Sequence, residues 1–294
     1  MIRYSLSTVL ALFLAFAAST AVPASAQTPA ASADSVAQAP AAASDDDDAK
    51  LRPAEPDYVT INLPTTLPLP PHAMNFHLSH RFNENLRNDS FETQLSNVFG
   101  LDSGANIGLE FRYGVMKHLE AIVQRTGLGR TIQFSAKYDG WHQTATMPVG
   151  VSIIASIEGD NNFHNTDGGA QANFAPAFGA VLSRTVTDRL ALYVTPMWVH
   201  NTGTGSAMSN TGFIGLGGRA RLAKSTYFVL EGAPRAGGLA IGSAEYAFAV
   251  EKRVGAHVFS LTFSNSVGTT YRQLAHGGVP EHLTLGFNLT RKFY

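Results

Sequence analysis

The chain has 294 residues, 45% of them hydrophobic and 15% charged, with a formal net charge of −1 and no cysteine. The absence of cysteine excludes a disulfide framework, a thiolate metal site, a covalently attached haem and a lipid-modified N-terminal cysteine. Near-neutrality with no basic patch excludes a nucleic-acid partner, and charge below the roughly 25% of soluble domains, without an 18-residue apolar run after the N-terminus, points to a β-barrel.

The first element is a targeting segment. Arg3 forms a positive n-region, Leu6 to Ala18 an apolar core, and Ala24-Ser25-Ala26 a small-x-small cleavage site, which predicts a signal peptide over residues 1–26. Residues 27–55 follow as a disordered periplasmic extension, nearly all Ala, Ser, Pro, Gln and Asp up to the run Asp45 to Asp48. Such a composition cannot bury enough apolar surface to order itself. Adjacent carboxylates there repel and hydrate, so the run reads as solvated and not as a calcium ligand set. Without this tail the remaining chain carries +2.

From residue 56 to 294 the dominant signal is period-two alternation, which predicts an all-β, antiparallel up-and-down transmembrane barrel. Twelve segments carry it: 73–82, 105–113, 118–125, 131–139, 147–157, 174–184, 189–199, 212–222, 226–233, 243–251, 256–264 and 282–293. Each approaches the 9–11 residues of a tilted membrane strand. One face is apolar, as in Phe259, Leu261 and Phe263, and the other small or polar, as in Thr284, Gly286 and Asn288. Short connections alternate with the long stretches 83–104, 158–173, 200–211 and 265–281, as expected of periplasmic turns and extracellular loops. Three hairpins test the register. Ala220 opposite Phe228 and Gly218 opposite Leu230 keep faces matched, as do Lys252 opposite Gly255 and Phe248 opposite Phe259. The third pairs Pro176 with Pro196, which implies a bulge or another register because proline cannot donate to a ladder.

The strand ending His80-Arg81-Phe82 and the run Leu101-Asp102-Ser103-Gly104-Ala105-Asn106 before Ile107-Gly108-Leu109 resemble a family of bacterial outer-membrane β-barrel proteins known only as a domain of unknown function. The resemblance covers residues 55 to 294 and implies fold and an outer-membrane location, with no reaction or ligand. Outer-membrane lipid and the barrel-assembly machinery are the partners it implies, with small solutes as a further candidate. The aromatic end that serves assembly is present at Tyr294, one residue out of phase with Leu285, Phe287, Leu289 and Phe293.

Function must then lie in the lumen. Arg81, Glu110, Arg112, Glu120, Lys137, Arg219, Arg221, Glu231, Glu245 and Glu251 fall on the inward phase as pore-lining candidates, with Arg112 expected directly opposite Glu120. Two readings stay open: the charges neutralise one another and fill the barrel, or unpaired members select a permeant. In loop 83–104, Asp89 and Ser90 cap a helical turn whose Phe91, Leu95 and Val98 are candidates for a constriction. Catalytic signatures are lacking: Leu101 replaces the first glycine of a Gly-x-Ser-x-Gly elbow, and Ala220 breaks a dinucleotide glycine pattern. Asn165 and Gln171 break a calcium loop, and His77 and His80 alternate faces. The expectation is a passive channel or binding barrel for small solutes, without enzymatic activity, cofactor or metal. The alternatives are a plugged structural or assembly-partner barrel, a surface lipid hydrolase and a soluble periplasmic β protein.

Overall fold

Residues that alternate in sequence alternate across a wall, and in the computed structural model that wall closes on itself. The structure describes residues 54–164, 174–203, 209–238 and 243–293, so the expected signal peptide and the aspartate run lie outside the described residues. The strands are β1 (Met74–Phe82), β2 (Ala105–Met116), β3 (Leu119–Thr126), β4 (Ile132–Trp141), β5 (Gly150–Gly159) and β6 (Phe174–Thr187), then β7 (Leu190–Val199), β8 (Thr211–Ala223), β9 (Thr226–Ala233), β10 (Glu245–Val254), β11 (His257–Ser264) and β12 (Thr284–Phe293). A three-residue piece, Arg235–Gly237, continues β9 along β8 beyond Pro234, which has no N–H to give the ladder. Each strand is antiparallel to the next, and β12 pairs with β1 through Leu78 opposite Leu289, so the barrel has twelve wall strands and no open edge. Observed strand ends lie within three residues of the expected ones.

The β8–β9 hairpin has the expected register, with Gly218 opposite Leu230 and Arg221 opposite Tyr227. The β10–β11 hairpin differs: Val254 faces His257 across Gly255-Ala256, and Lys252 faces Phe259 instead of Gly255. A slide of four positions is even, so every side chain keeps its face, and face matching alone cannot detect the error. Pro176 faces Ile157 and Pro196 faces Ile214, so the two prolines do not meet.

The outer surface is a belt of exposed apolar side chains, among them Phe111, Phe134, Trp198, Leu230 and Phe259. The aggregate far exceeds the few hundred Å² patch that a soluble monomer tolerates. Inward positions carry buried charge, the inverse of a soluble core and the pattern of a barrel in lipid. No helix among the described residues is long and apolar enough to cross a membrane, so the strands do the crossing.

Candidate functional site: the filled lumen

The chain from Ala54 to Leu69 belongs to neither the wall nor the outside, and Pro70, Pro71 and His72 are exposed where it turns into β1. Ala54, Glu55, Asp57, Tyr58, Ile61, Leu63 and Leu69 are all buried, inside the barrel. The sequence reading places Ala54 and Glu55 in the periplasmic extension, whereas the structure has them within the lumen. The plug folds back on itself: Thr60 N donates to Leu63 O and Thr65 N to Tyr58 O, each at 2.8 Å, with Val59 bridged to Pro64. Its tip, Ile61-Asn62, points away from the short-turn end at which β1 begins.

A carboxylate receives that tip. Glu231 of β9 accepts backbone N–H groups from Ile61 (2.9 Å), Asn62 (3.0 Å) and Leu63 (3.0 Å), and the Thr60 hydroxyl as well. Successive N–H groups converging on one anion form a nest, and charged acceptors make the stronger hydrogen bonds. Arg81 of β1 donates to Asn62 Oδ1 at 3.1 Å and Asn288 Oδ1 at 2.7 Å, while Asn288 Nδ2 returns a bond to Ile61 O at 2.9 Å. Glu245 accepts from Asn62 Nδ2 at 3.5 Å.

The other wall charges hold the flanks of the plug. Arg219 pairs with Glu251 at 2.9 Å and donates to Val59 O at 2.7 Å. Lys137 Nζ lies 3.0 Å from Glu120 and 3.3 Å from Asp139, and donates to the carbonyls of Thr65 and Leu67, each at 2.9 Å. Arg112 ties Glu110 (2.6 Å) to Glu120 (3.2 Å) and continues the ladder around the wall. A bulge before Met116 sets Arg112 opposite Ile122, not Glu120, and the pair forms along the diagonal. Lys292 donates to Pro56 O at 2.6 Å, Thr290 to Asp57 Oδ2 at 2.7 Å, and Thr66 and Ser183 share a hydrogen bond. Nine of the ten charged candidates are thus buried inside the barrel; Arg221 is half-buried at the rim, donating to the carbonyls of Ala223 and Lys224.

Glycines make the room. Inward-facing Gly215 and Gly217 of β8 lie under the plug, and a Cβ on Gly215 would come within 2.5 Å of Leu63 Cδ1. The missing side chains give clearance to Leu63 and Thr60.

The opposite mouth is closed by a different loop from the one expected. Phe91, Leu95 and Val98 are 72%, 57% and 48% exposed, so loop 83–104, with its helix α1 (Phe91–Ser96), does not turn these side chains inward. The loop after β11 enters instead. Its short helix α2 (Tyr271–His276) starts at Thr270 in a capping box with Gln273, and Tyr271, Leu274 and Ala275 are buried. Glu158 accepts from Thr270 Oγ1 (3.0 Å) and Arg272 N (3.2 Å), Gln133 accepts from Tyr271 N (3.0 Å), and Arg272 pairs with Asp160. Leu63 of the plug and Tyr271, Leu274 and Ala275 of this loop join one apolar cluster with Ile154, Met197 and Phe213 of the wall. The same loop half-buries His276, whose pKa is lowered below the ordinary histidine value by desolvation and then by Arg272. In the Leu101 to Asn106 run, Gly104 takes φ +77°, and Asn106 anchors the inward loop by donating to Val267 O at 2.8 Å.

Sequence reasoning missed the plug, Asp139, Glu158, Arg272 and Lys292. One signal was available: Tyr58, Val59, Ile61, Leu63, Leu67 and Leu69 form an apolar stretch unlike the tail before it. Among the described residues no group of three or more His, Asp or Glu side chains is placed to hold a metal.

The sequence model of one family, described as a membrane-bound β-barrel domain (DUF5777), matches residues 57–293, plug included. No curated protein matches the sequence. Among solved structures, the NanC porin is similar at TM-score 0.48 and 8% identity, over 75% of this chain and 99% of that one. An outer-membrane channel of Pseudomonas putida F1 is similar at TM-score 0.47 and 12% identity, over 76% and 97% of the two chains. The outer-membrane protein Omp33 of Acinetobacter baumannii is similar at TM-score 0.40 and 8% identity, over 76% and 98%.

Proposed function

The chain belongs to the DUF5777 family of membrane-bound β-barrel domains, and from that premise we propose that it is a gated outer-membrane conduit for small solutes, closed at rest by its own residues 54–69. Family and apolar belt together overturn the soluble alternative. The observation that carries the proposal is the mode of attachment of the plug. Its tip and flanks are held by hydrogen bonds from and to wall charges, alongside apolar patches at Ala54, Ile61 and Leu63. Water can replace such partners when the segment leaves, and the wall left behind would be polar and hydrated. A space once filled by a folded-back chain admits a small solute.

The absence of cysteine supplies a clean test. Thr66→Cys with Ser183→Cys replaces a direct side-chain contact between plug and wall. In planar bilayers the oxidised protein is expected to be silent and the reduced protein to show stepwise openings. Silence of the reduced, folded and inserted protein, also with residues 54–69 deleted, would leave a permanently filled structural barrel and overturn the conduit reading.

A further inference from the structure

What the wall holds in the plug is largely main chain. Arg219 donates to the carbonyls of Val59 (2.7 Å) and Thr60 (3.3 Å), Lys137 to those of Thr65 and Leu67, Asn288 to that of Ile61 and Lys292 to that of Pro56. Glu231 accepts the N–H groups of Ile61, Asn62 and Leu63. Side chains of Glu55, Asp57, Thr60, Asn62 and Thr66 add to these bonds. Where Leu63 and Thr60 lie, the wall offers the clearance of Gly215 and Gly217. Every residue but proline carries one N–H and one C=O, so a wall that binds these groups recognises peptide as a class more than one sequence.

A second segment is received in the same way. The loop after β11 enters from the opposite mouth, and there Glu158 accepts Arg272 N (3.2 Å), Gln133 accepts Tyr271 N (3.0 Å) and Gln124 Nε2 donates to Thr269 O (3.4 Å). Two different sequences held by one mode of contact make main-chain binding a property of the wall. The plug also leaves part of that capacity unused. Beside its tip, Glu245 Oε2 and Arg81 Nε are buried with no hydrogen-bond partner among the described residues, and polar groups so placed are costly to leave unmet.

We infer that the plug occupies the place of a ligand, and that the solutes taken by this lumen are short peptides, bound through their main chain at Glu231, Arg219 and Lys137. A peptide brings N–H and C=O groups at the chain's own repeat, about 3.3–3.6 Å per residue when extended, as the plug does. The inference rests on the plug being releasable, as the conduit reading has it. It does not require that a bound peptide cross the membrane.

The full mature chain with Leu67→Cys, at a site buried with Tyr58 and Leu69, tests it by the labelling rate with a water-soluble maleimide. The probe is acetyl-Thr-Ile-Asn-Leu-amide, the sequence of residues 60–63. A ligand that binds only the released state raises that rate by the factor 1 + [peptide]/Kd, expected to be at least three-fold at about 5 mM peptide. The same peptide N-methylated at its last three residues lacks the donors for Glu231 and is expected to have no effect, as is sucrose. Glu231→Gln is expected to raise the rate without peptide and to bring the acceleration by peptide close to one-fold, which mere loosening of the plug would not do. No acceleration by the peptide would overturn the inference. So would equal acceleration by the N-methylated peptide or by sucrose, which would make the lumen a general polar site. Acceleration in a barrel that stays silent in planar bilayers would remove the conduit reading and leave the peptide site standing; stepwise openings without acceleration would do the reverse.

Discussion

Replacing Glu231 by Gln keeps the shape of the side chain and removes the charge on which the plug tip closes. Four donors converge on that carboxylate: the Thr60 hydroxyl and the backbone N–H groups of Ile61, Asn62 and Leu63. Hydrogen bonds to a charged acceptor contribute about 1.5–3 kcal/mol and neutral ones about 0.5–1.5. A loss near 1 kcal/mol for most of the four gives about 3 kcal/mol. Relief of the proximity of Glu245, which shares Asn62 with Glu231, trims that figure. The expected consequence is about a 10²-fold rise in the released fraction of the plug. Leu67→Cys, buried beyond the hairpin against Tyr58, Leu69 and Ala73, reports release through its labelling rate with a water-soluble maleimide. No native cysteine competes, and any cost of the reporter substitution cancels when the rate is compared with and without Glu231→Gln. A labelling rate unchanged by Glu231→Gln in a folded barrel would refute the assignment of the nest as the fastening of the plug.

Gly215→Val should raise the same labelling rate about ten-fold with little change in wall stability, because its side chain takes the space of Leu63; labelling as slow as in the parent would show that the plug has room to spare. Lys137→Met leaves Glu120 and Asp139 buried without their shared cation and should cost about 3–5 kcal/mol, read as a lower denaturant midpoint in lipid. The His276 pKa is lowered in the docked loop, so the released loop binds the proton more readily below its ordinary value of about 6.5. Loop docking should therefore be constant above pH 6.5 and weaken as pH falls below it; hydrogen exchange of the 271–276 amides would show this, and His276→Gln should flatten the profile. With the plug displaced, the buried wall carboxylates of Glu110, Glu120, Asp139, Glu158, Glu231, Glu245 and Glu251 outnumber the cations Arg81, Arg112, Lys137, Arg219 and Lys292. Reversal potentials in a salt gradient should show cation preference, which Glu231→Gln with Glu245→Gln should reduce.

The twelve strands, their faces and the alternation of short and long connections were legible in the sequence because they rest on a local property. On a strand each side chain faces opposite to its neighbours, so Phe259 and Leu261 declare the lipid side and Arg219 and Glu251 the inside without reference to anything distant. Register was partly legible, since a slide of an even number of residues leaves that pattern intact, as in the β10–β11 hairpin. What fills the lumen was decided only in three dimensions. Glu231 meets residues 168 to 171 positions away, and Arg272 reaches Asp160 across 112. Nothing local distinguishes an inward charge that lines water from one that holds a returning chain. The loop between residues 83 and 104 had the apolar side chains to enter the barrel, yet the loop with Tyr271 and Leu274 did so, because Glu158, Gln133 and Asp160 of the opposite wall receive its backbone and its arginine. Alternation is written residue by residue, but the occupant of an enclosed space is settled by which distant groups can satisfy one another's hydrogen bonds away from water.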